Sequence, residues 1–147
     1  MKSFHITLKD HKLGQELGNK NVAIAKQFGL DSTLFEAVPG NNCDHLFKQH
    51  KVRKLRTNKV GHQGCFMSHF LLWKKCLELN ETIAILEHDG MFVRSLPDDI
   101  ESNFVDVCRL DPCIFWKDTY EADITKCLGN SINYFKPETV YYEKYFG

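Results

Sequence analysis

From Gly64 to Asn80 apolar residues return every three or four positions, at Phe66, Phe70, Trp73 and Leu77, with Met67, Leu71 and Cys76 widening the stripe. That period belongs to a helix that buries one face. After a short turn Ile83-Ala84-Ile85-Leu86 is apolar without a break, the pattern of a central strand covered on both sides. The opening of the chain, a strand, a helix and a strand within residues 4–38, points to an α/β arrangement, because parallel strands need a crossover of this size. Immediately after the apolar run comes Glu87-His88-Asp89. Strand alternation sets Glu87 and Asp89 on one face and His88 on the other. Two carboxylates so placed can meet a hard divalent cation or a ribose hydroxyl. Glu-x-Asp alone also describes many solvated loops; the apolar strand before it puts the pair at an edge of the core, where ligands of open α/β sheets sit.

The rest of the chain can be arranged around that unit. Residues 4–8 alternate toward a first strand. Leu13, Leu17, Ile24 and Phe28 mark a helix face, interrupted at Gly18 and closed by Gly29. Residues 34–38 read as a second strand, stopped by Pro39-Gly40. Residues 41–62 have no clear period beyond a short helix that Asp44 is placed to cap, and a loop of this length inside a domain is usually functional. Ser95-Leu96-Pro97-Asp98-Asp99 is a helix start, with Ile100, Phe104 and Val107 as its apolar face. Residues 113–116 read as a further buried strand, and 133–135 and 139–142 as two short ones. At 147 residues the expectation is a single domain.

Charge and cysteine content narrow the classes. No apolar run approaches the ~20 residues that span a bilayer, and no apolar segment follows the first residues, so a soluble, cytoplasmic protein is expected. The six cysteines include no Cys-x-x-Cys pair, which argues for reduced thiols rather than a structural zinc site. Between His45 and Leu77 there is no Asp or Glu, while Lys48, Lys51, Arg53, Lys54, Arg56 and Lys59 crowd the first part of that interval. This stretch suits a diphosphate or a phosphorylated glycolipid, or is a solvated loop. No nucleic acid is expected, since no aromatics interleave the basic residues. On the helix, His69 shares a face with Phe66 and Trp73 and is expected to be buried and hydrogen-bonded. His88 is expected to pack, with a softer metal such as zinc as the other reading.

Taken together, Gly64-Cys65-Phe66-Met67-Ser68-His69, Trp73 and Leu86-Glu87-His88-Asp89 resemble the signature of glycosyltransferase family 25, the lipooligosaccharide galactosyltransferase-type enzymes, which also include collagen galactosyltransferases. Ile6-Thr7-Leu8-Lys9 and Phe35-Glu36-Ala37-Val38-Pro39-Gly40 extend the likeness more faintly. The resemblance implies a GT-A-like nucleotide-binding α/β sandwich with a mostly parallel sheet, incomplete on the acceptor side at this length. It implies a UDP-sugar donor, with UDP-galactose expected, bound by Thr7, Leu8, Glu87 and Asp89. Mn²⁺ or Mg²⁺ would sit on Glu87 and Asp89, Ser68, His69 and His88 would lie close by, and the acceptor would be a saccharide or glycolipid such as lipooligosaccharide. Family members invert the anomeric centre, so a base is required, and no residue here is identified as that base. Thr7 stands where the family usually has Asn, and His88 where it usually has an acid. Two rival readings stay open: a reduced module that binds a nucleotide sugar or glycan without turnover, and a phosphate- or nucleic-acid-binding module built on residues 48–59.

Overall fold

The computed structural model describes residues 1–103 together with 106 and 107. Residues 1–95 form one compact unit, and the described residues from 96 onward belong to a second. In the first unit a strand, β1 (Lys2–Thr7), leads into helix α1 (Lys12–Gln27) and strand β2 (Asp31–Glu36). A 3-10 turn (Gly40–Asn42) and a short helix, α2 (Asp44–Gln49), follow, then the long helix α3 (Val60–Leu79) and strand β3 (Ile83–Glu87). The strands form a wholly parallel sheet in the order β2-β1-β3, with Ile6 beside Phe35 on one side and Glu87 on the other. The α/β class and the parallel sheet are therefore as expected, in the part of a GT-A-like sandwich that the described residues cover.

Among the described residues the strand buried on both faces is the first one. Among the described residues Ile83–Glu87 is an edge, and β1 lies in the middle, buried from Ser3 to Thr7. Its alternating Ser3-Phe4-His5-Ile6-Thr7 looks half-solvated because burial on the second face is carried by small polar side chains and a histidine. Phe4 and Ile6 point to the α3 side, where they pack with Ala37 and Leu72. Ser3, His5 and Thr7 point to the other face. A methyl group added at Gly18 would lie 3.8 Å from Thr7 Cβ and 3.0 Å from Leu34, so α1 covers that face closely. That close packing is why the helix runs through Gly18 rather than breaking there.

Helix α3 is rotated relative to its apolar stripe. Its buried residues are Gln63, Gly64, Met67, Ser68 and Leu72, while Leu77 is 80% exposed. The helix has two neighbours. Leu72 meets the sheet, and Met67 joins Cys43 and Phe47 of the α2 region in a second cluster against which Phe66 and Phe70 pack half-buried. Phe66 stacks on Phe47 with ring centroids 5.9 Å apart. The helix ends on Asn80 in the left-handed region, φ 50°, and α1 on Gly29, φ 82°, as their residue types favour.

Two smaller expectations are corrected. Asp44 is the first residue of α2 and not its cap; Cys43 holds that position without a side-chain cap bond. In the second unit the segment after Pro97 begins as a 3-10 turn, Ile100–Asn103, rather than an α-helix. The strands expected at 113–116, 133–135 and 139–142 lie outside the described residues, and no helix among those described is long and apolar enough to cross a membrane.

Candidate functional site

The order β2-β1-β3 places a reversal of winding direction between β1 and β3: the chain steps from β1 to one neighbour, then returns across it to the other. In open α/β sheets ligands bind outside the carboxyl ends of the strands at such a point. Glu87 is the last residue of β3, paired with Ile6 one residue short of the end of β1. Its side chain is exposed.

The signature helix is brought to this edge by close backbone approach. A methyl group at Gly64 would come within 2.4 Å of the Val38 carbonyl oxygen and 2.7 Å of the Gly40 nitrogen, and one at Gly40 would collide with the backbone of Val60. Both positions therefore need glycine. One turn later Ser68, fully buried, donates its hydroxyl to the Gly64 carbonyl at 2.7 Å and accepts from the Val38 N–H at 2.9 Å. Gly-x-x-x-Ser is thus a clamp between α3 and the segment leaving β2, and Ser68 serves position rather than chemistry. Cys65 and His69, one residue further along the helix in each case, stand at the surface beside Glu87.

There three side chains meet. The Cys65 thiol donates to Glu87 Oε1 at 3.3 Å, and His69 Nδ1 lies 3.8 Å from Cys65 Sγ and 3.0 Å from the Cys65 carbonyl oxygen. A ligand atom from each of Cys65, His69 and Glu87 lies within 4.8 Å of the others. Partial burial, reinforced by the negative charge of Glu87 and by the bond to it, pushes the Cys65 thiol up to about 11. At neutral pH Cys65 is a protonated donor. His69 is half-exposed, not the buried imidazole its helix face suggested, because α3 turns that face toward the rim of the sheet.

Asp89 sits differently from its expected place. Strand geometry stops at Glu87, and the Gly90 N–H closes a turn onto the Glu87 carbonyl at 2.9 Å. His88 and Asp89 lie in that turn, so alternation does not govern which way they face; Asp89 is exposed and outside the three-residue cluster. The turn is tied to α1 by Asn21, whose side-chain amide donates to the His88 carbonyl at 3.0 Å, and by the edge-on contact of the His88 and His11 rings, 5.7 Å apart. Thr7 is 1% exposed beneath α1, its hydroxyl without a partner among the described residues, whereas Leu8 just beyond it is 45% exposed. Of the residues expected at the site, the structure thus gathers Glu87 with His69, sets Asp89 and His88 on the adjoining turn, and holds Ser68 and Thr7 inside.

Both Glu87 and Asp89 expose carboxylate oxygens, the donor type that suits Mn²⁺ or Mg²⁺. The basic stretch is ordered by Gln63, which accepts from the Leu55 N–H at 3.1 Å and donates to the Leu55 carbonyl at 2.9 Å. Lys48, Lys51, Arg53, Lys54, Arg56 and Lys59 are exposed around it, and Lys54 pairs with Asp44 at 2.6 Å. That ion pair lowers the pKa of Asp44 and raises that of Lys54, each chiefly through the hydrogen bond between them. Cys65 and Asn21 were not singled out from the sequence as site residues. The available signal for the first was the Cys65-x-x-x-His69 spacing, which puts a thiol and an imidazole on one helix face; nothing local marks the second.

Comparison with known proteins reaches the same residues. The family model of glycosyltransferase family 25 (LPS biosynthesis protein) matches residues 3–128. A "Glycosyltransferase 25 family member" of Aedes aegypti is 30% identical over 99 residues, 60% of this chain and 16% of the relative. A "Procollagen lysyl hydroxylase and glycosyltransferase" of Acanthamoeba polyphaga mimivirus is 34% identical over 79 residues, 44% of this chain and 9% of the relative. The matched stretches are thus small parts of much longer relatives.

Proposed function

The chain belongs to glycosyltransferase family 25, and from that premise we propose that its first unit is the donor-binding part of a sugar transferase, taking a UDP-sugar at the carboxyl edge between β1 and β3. What supports the reading above all is the placement of Glu87: an exposed carboxylate ending a parallel strand at the winding reversal, with the Gly64–Ser68 clamp bringing the signature helix alongside. Galactose as the transferred sugar, and a saccharide or glycolipid such as lipooligosaccharide as acceptor, are carried from the sequence resemblance.

In this reading Glu87 and Asp89 hold Mn²⁺ or Mg²⁺. When bound, the cation offsets the charge that builds on the departing diphosphate. The chain's own contribution is placement. Asn21 fixes the turn that carries Asp89, the Cys65 S–H satisfies one oxygen of Glu87, and the Leu8 side chain offers an exposed apolar surface beside the end of β1. Buried Thr7 shapes the floor of the donor site and does not touch the donor. No residue is assigned as the base for the acceptor hydroxyl.

Titration calorimetry with UDP-galactose tests this. Binding is expected with Mn²⁺ present and lost or strongly weakened in its absence, and Asp89→Asn and Glu87→Gln are each expected to weaken it. Donor binding that ignores both substitutions would refute the placement. Binding without release of sugar to any acceptor would favour the reduced, non-transferring module.

A further inference from the structure

We propose that Cys65, His69 and Glu87 form a binding site for a thiophilic transition metal, with Zn²⁺ as the ion of choice, separate in chemistry from the hard-cation role given to Glu87 and Asp89. The site goes beyond sugar transfer and does not depend on it.

Three observations converge. First, the donor set is a thiol, an imidazole and a carboxylate, the set that zinc accepts and that Mg²⁺ does not prefer. Second, the geometry is nearly in place: the donor atoms lie within 4.8 Å of one another, and Cys65 Sγ is already 3.3 Å from Glu87 Oε1. Zinc–sulfur bonds of about 2.3 Å and zinc–oxygen bonds of about 2.0–2.2 Å at tetrahedral angles put donors roughly 3.5 Å apart. Closing the widest pair therefore takes about an ångström of side-chain rotation at surface residues. Third, the ring nitrogen that faces the other donors is Nδ1, 3.8 Å from Cys65 Sγ; a small rotation of the imidazole exchanges its contact with the Cys65 carbonyl, 3.0 Å away, for the ion and leaves Nε2–H to solvent.

The scaffold is rigid where it matters. Cys65 and His69 are one turn apart on α3, flanking Ser68, which is bonded at both Gly64 and Val38. Glu87 ends a strand hydrogen-bonded to β1. Binding replaces the thiol S–H bond by a zinc–sulfur bond, and the proton goes to solvent. Three protein ligands leave a fourth position to water or an incoming donor, so the ion is exchangeable rather than structural. Because Glu87 is common to both roles, zinc here would withdraw it from a hard cation; this consequence, unlike the site itself, rests on the proposed donor reading.

Cobalt substitution decides it. Metal-free protein titrated with Co²⁺ is expected to develop a thiolate-to-cobalt charge-transfer band that Zn²⁺ abolishes on addition. Cys65→Ser and Cys65→Ala should remove the band while Cys76→Ser leaves it unchanged, with circular dichroism showing the fold retained in each. Competition against a chromophoric chelator should show Zn²⁺ affinity falling about 100-fold in Cys65→Ser and at least about tenfold in Glu87→Gln or His69→Gln, since even partners outside the ligand shell cost 10–100-fold. No band in the wild-type chain, or a band that survives in both Cys65 variants, overturns the site. Failure of UDP-galactose to bind bears on the transferase reading alone, because the cobalt band needs no nucleotide.

Discussion

On the α3 side of the sheet Phe4 and Ile6 of β1 meet Leu72 and Ala37, with Phe35, Leu79, Ile83 and Ile85 packed around them. On the α1 side of the same strand Ser3, His5 and Thr7, together with Ser32 of β2, are buried with side-chain polar atoms that have no partner among the described residues. One face gains from apolar burial. The other carries groups whose desolvation is not repaid by hydrogen bonds. The unit's stability is concentrated on the α3 side of the sheet, where β1 packs on Leu72 and the signature helix is clamped to the segment leaving β2. The α1 side holds the site's adjoining turn through Asn21 and is the weaker half.

Emptying the strong face should have the largest effect. Leu72→Ala should cost about 2–5 kcal/mol in denaturant unfolding, because Leu72 is fully buried at the helix–sheet contact. A loss under about 1 kcal/mol would mean that the α3 face is not the main source of stability. Next in size is the clamp. Gly64→Ala must push α3 away from Val38 and Gly40, at about 1–3 kcal/mol as overpacking generally costs, and should lower donor affinity as well as stability.

The weak face is probed by acid. Burial lowers the pKa of His5 below its usual 6.5, so unfolded chains take up a proton near that pH while folded ones do not. Stability contributed by neutral His5 is therefore complete above about 6.5 and is lost as pH falls toward the folded value. One unit below 6.5 this single group can remove at most about 1.4 kcal/mol. Urea melts from pH 7.5 to 5.5 should show the decline, and His5→Gln should flatten it. A decline unaltered in that variant would assign the acid sensitivity elsewhere. Smallest of all is Ser32→Ala, expected within about 0.5 kcal/mol of wild type, since it deletes a hydroxyl that has no partner to lose.

These two faces also explain what the sequence disclosed. Unbroken or periodic apolar runs revealed the helix at 64–80, the strand at 83–86 and the α/β class, because burial there is bought with large hydrophobes. β1 was legible as a strand but not as one buried on both faces, since Ser3, His5 and Thr7 are residues that ordinarily face water. At the site, Glu87 was legible from its position at the end of an apolar run. The placement of Asp89 was not: a turn closed by Gly90 interrupts strand alternation after Glu87. His69 was misplaced for a related reason, namely that α3 divides its apolar stripe between the sheet and α2, and so turns toward the rim a face that periodicity alone assigns to the core.

The central claim is that the carboxyl edge between β1 and β3, marked by Glu87 and Asp89, receives the sugar nucleotide. A crystal structure of the chain grown with UDP-galactose and Mn²⁺, with anomalous scattering used to locate the metal, tests it most directly. The account predicts an anomalous peak bonded to an oxygen of Glu87 or Asp89, with the diphosphate against it at the end of β1. A diphosphate seated along the basic residues 48–59, with neither carboxylate in contact with the ion, would contradict it.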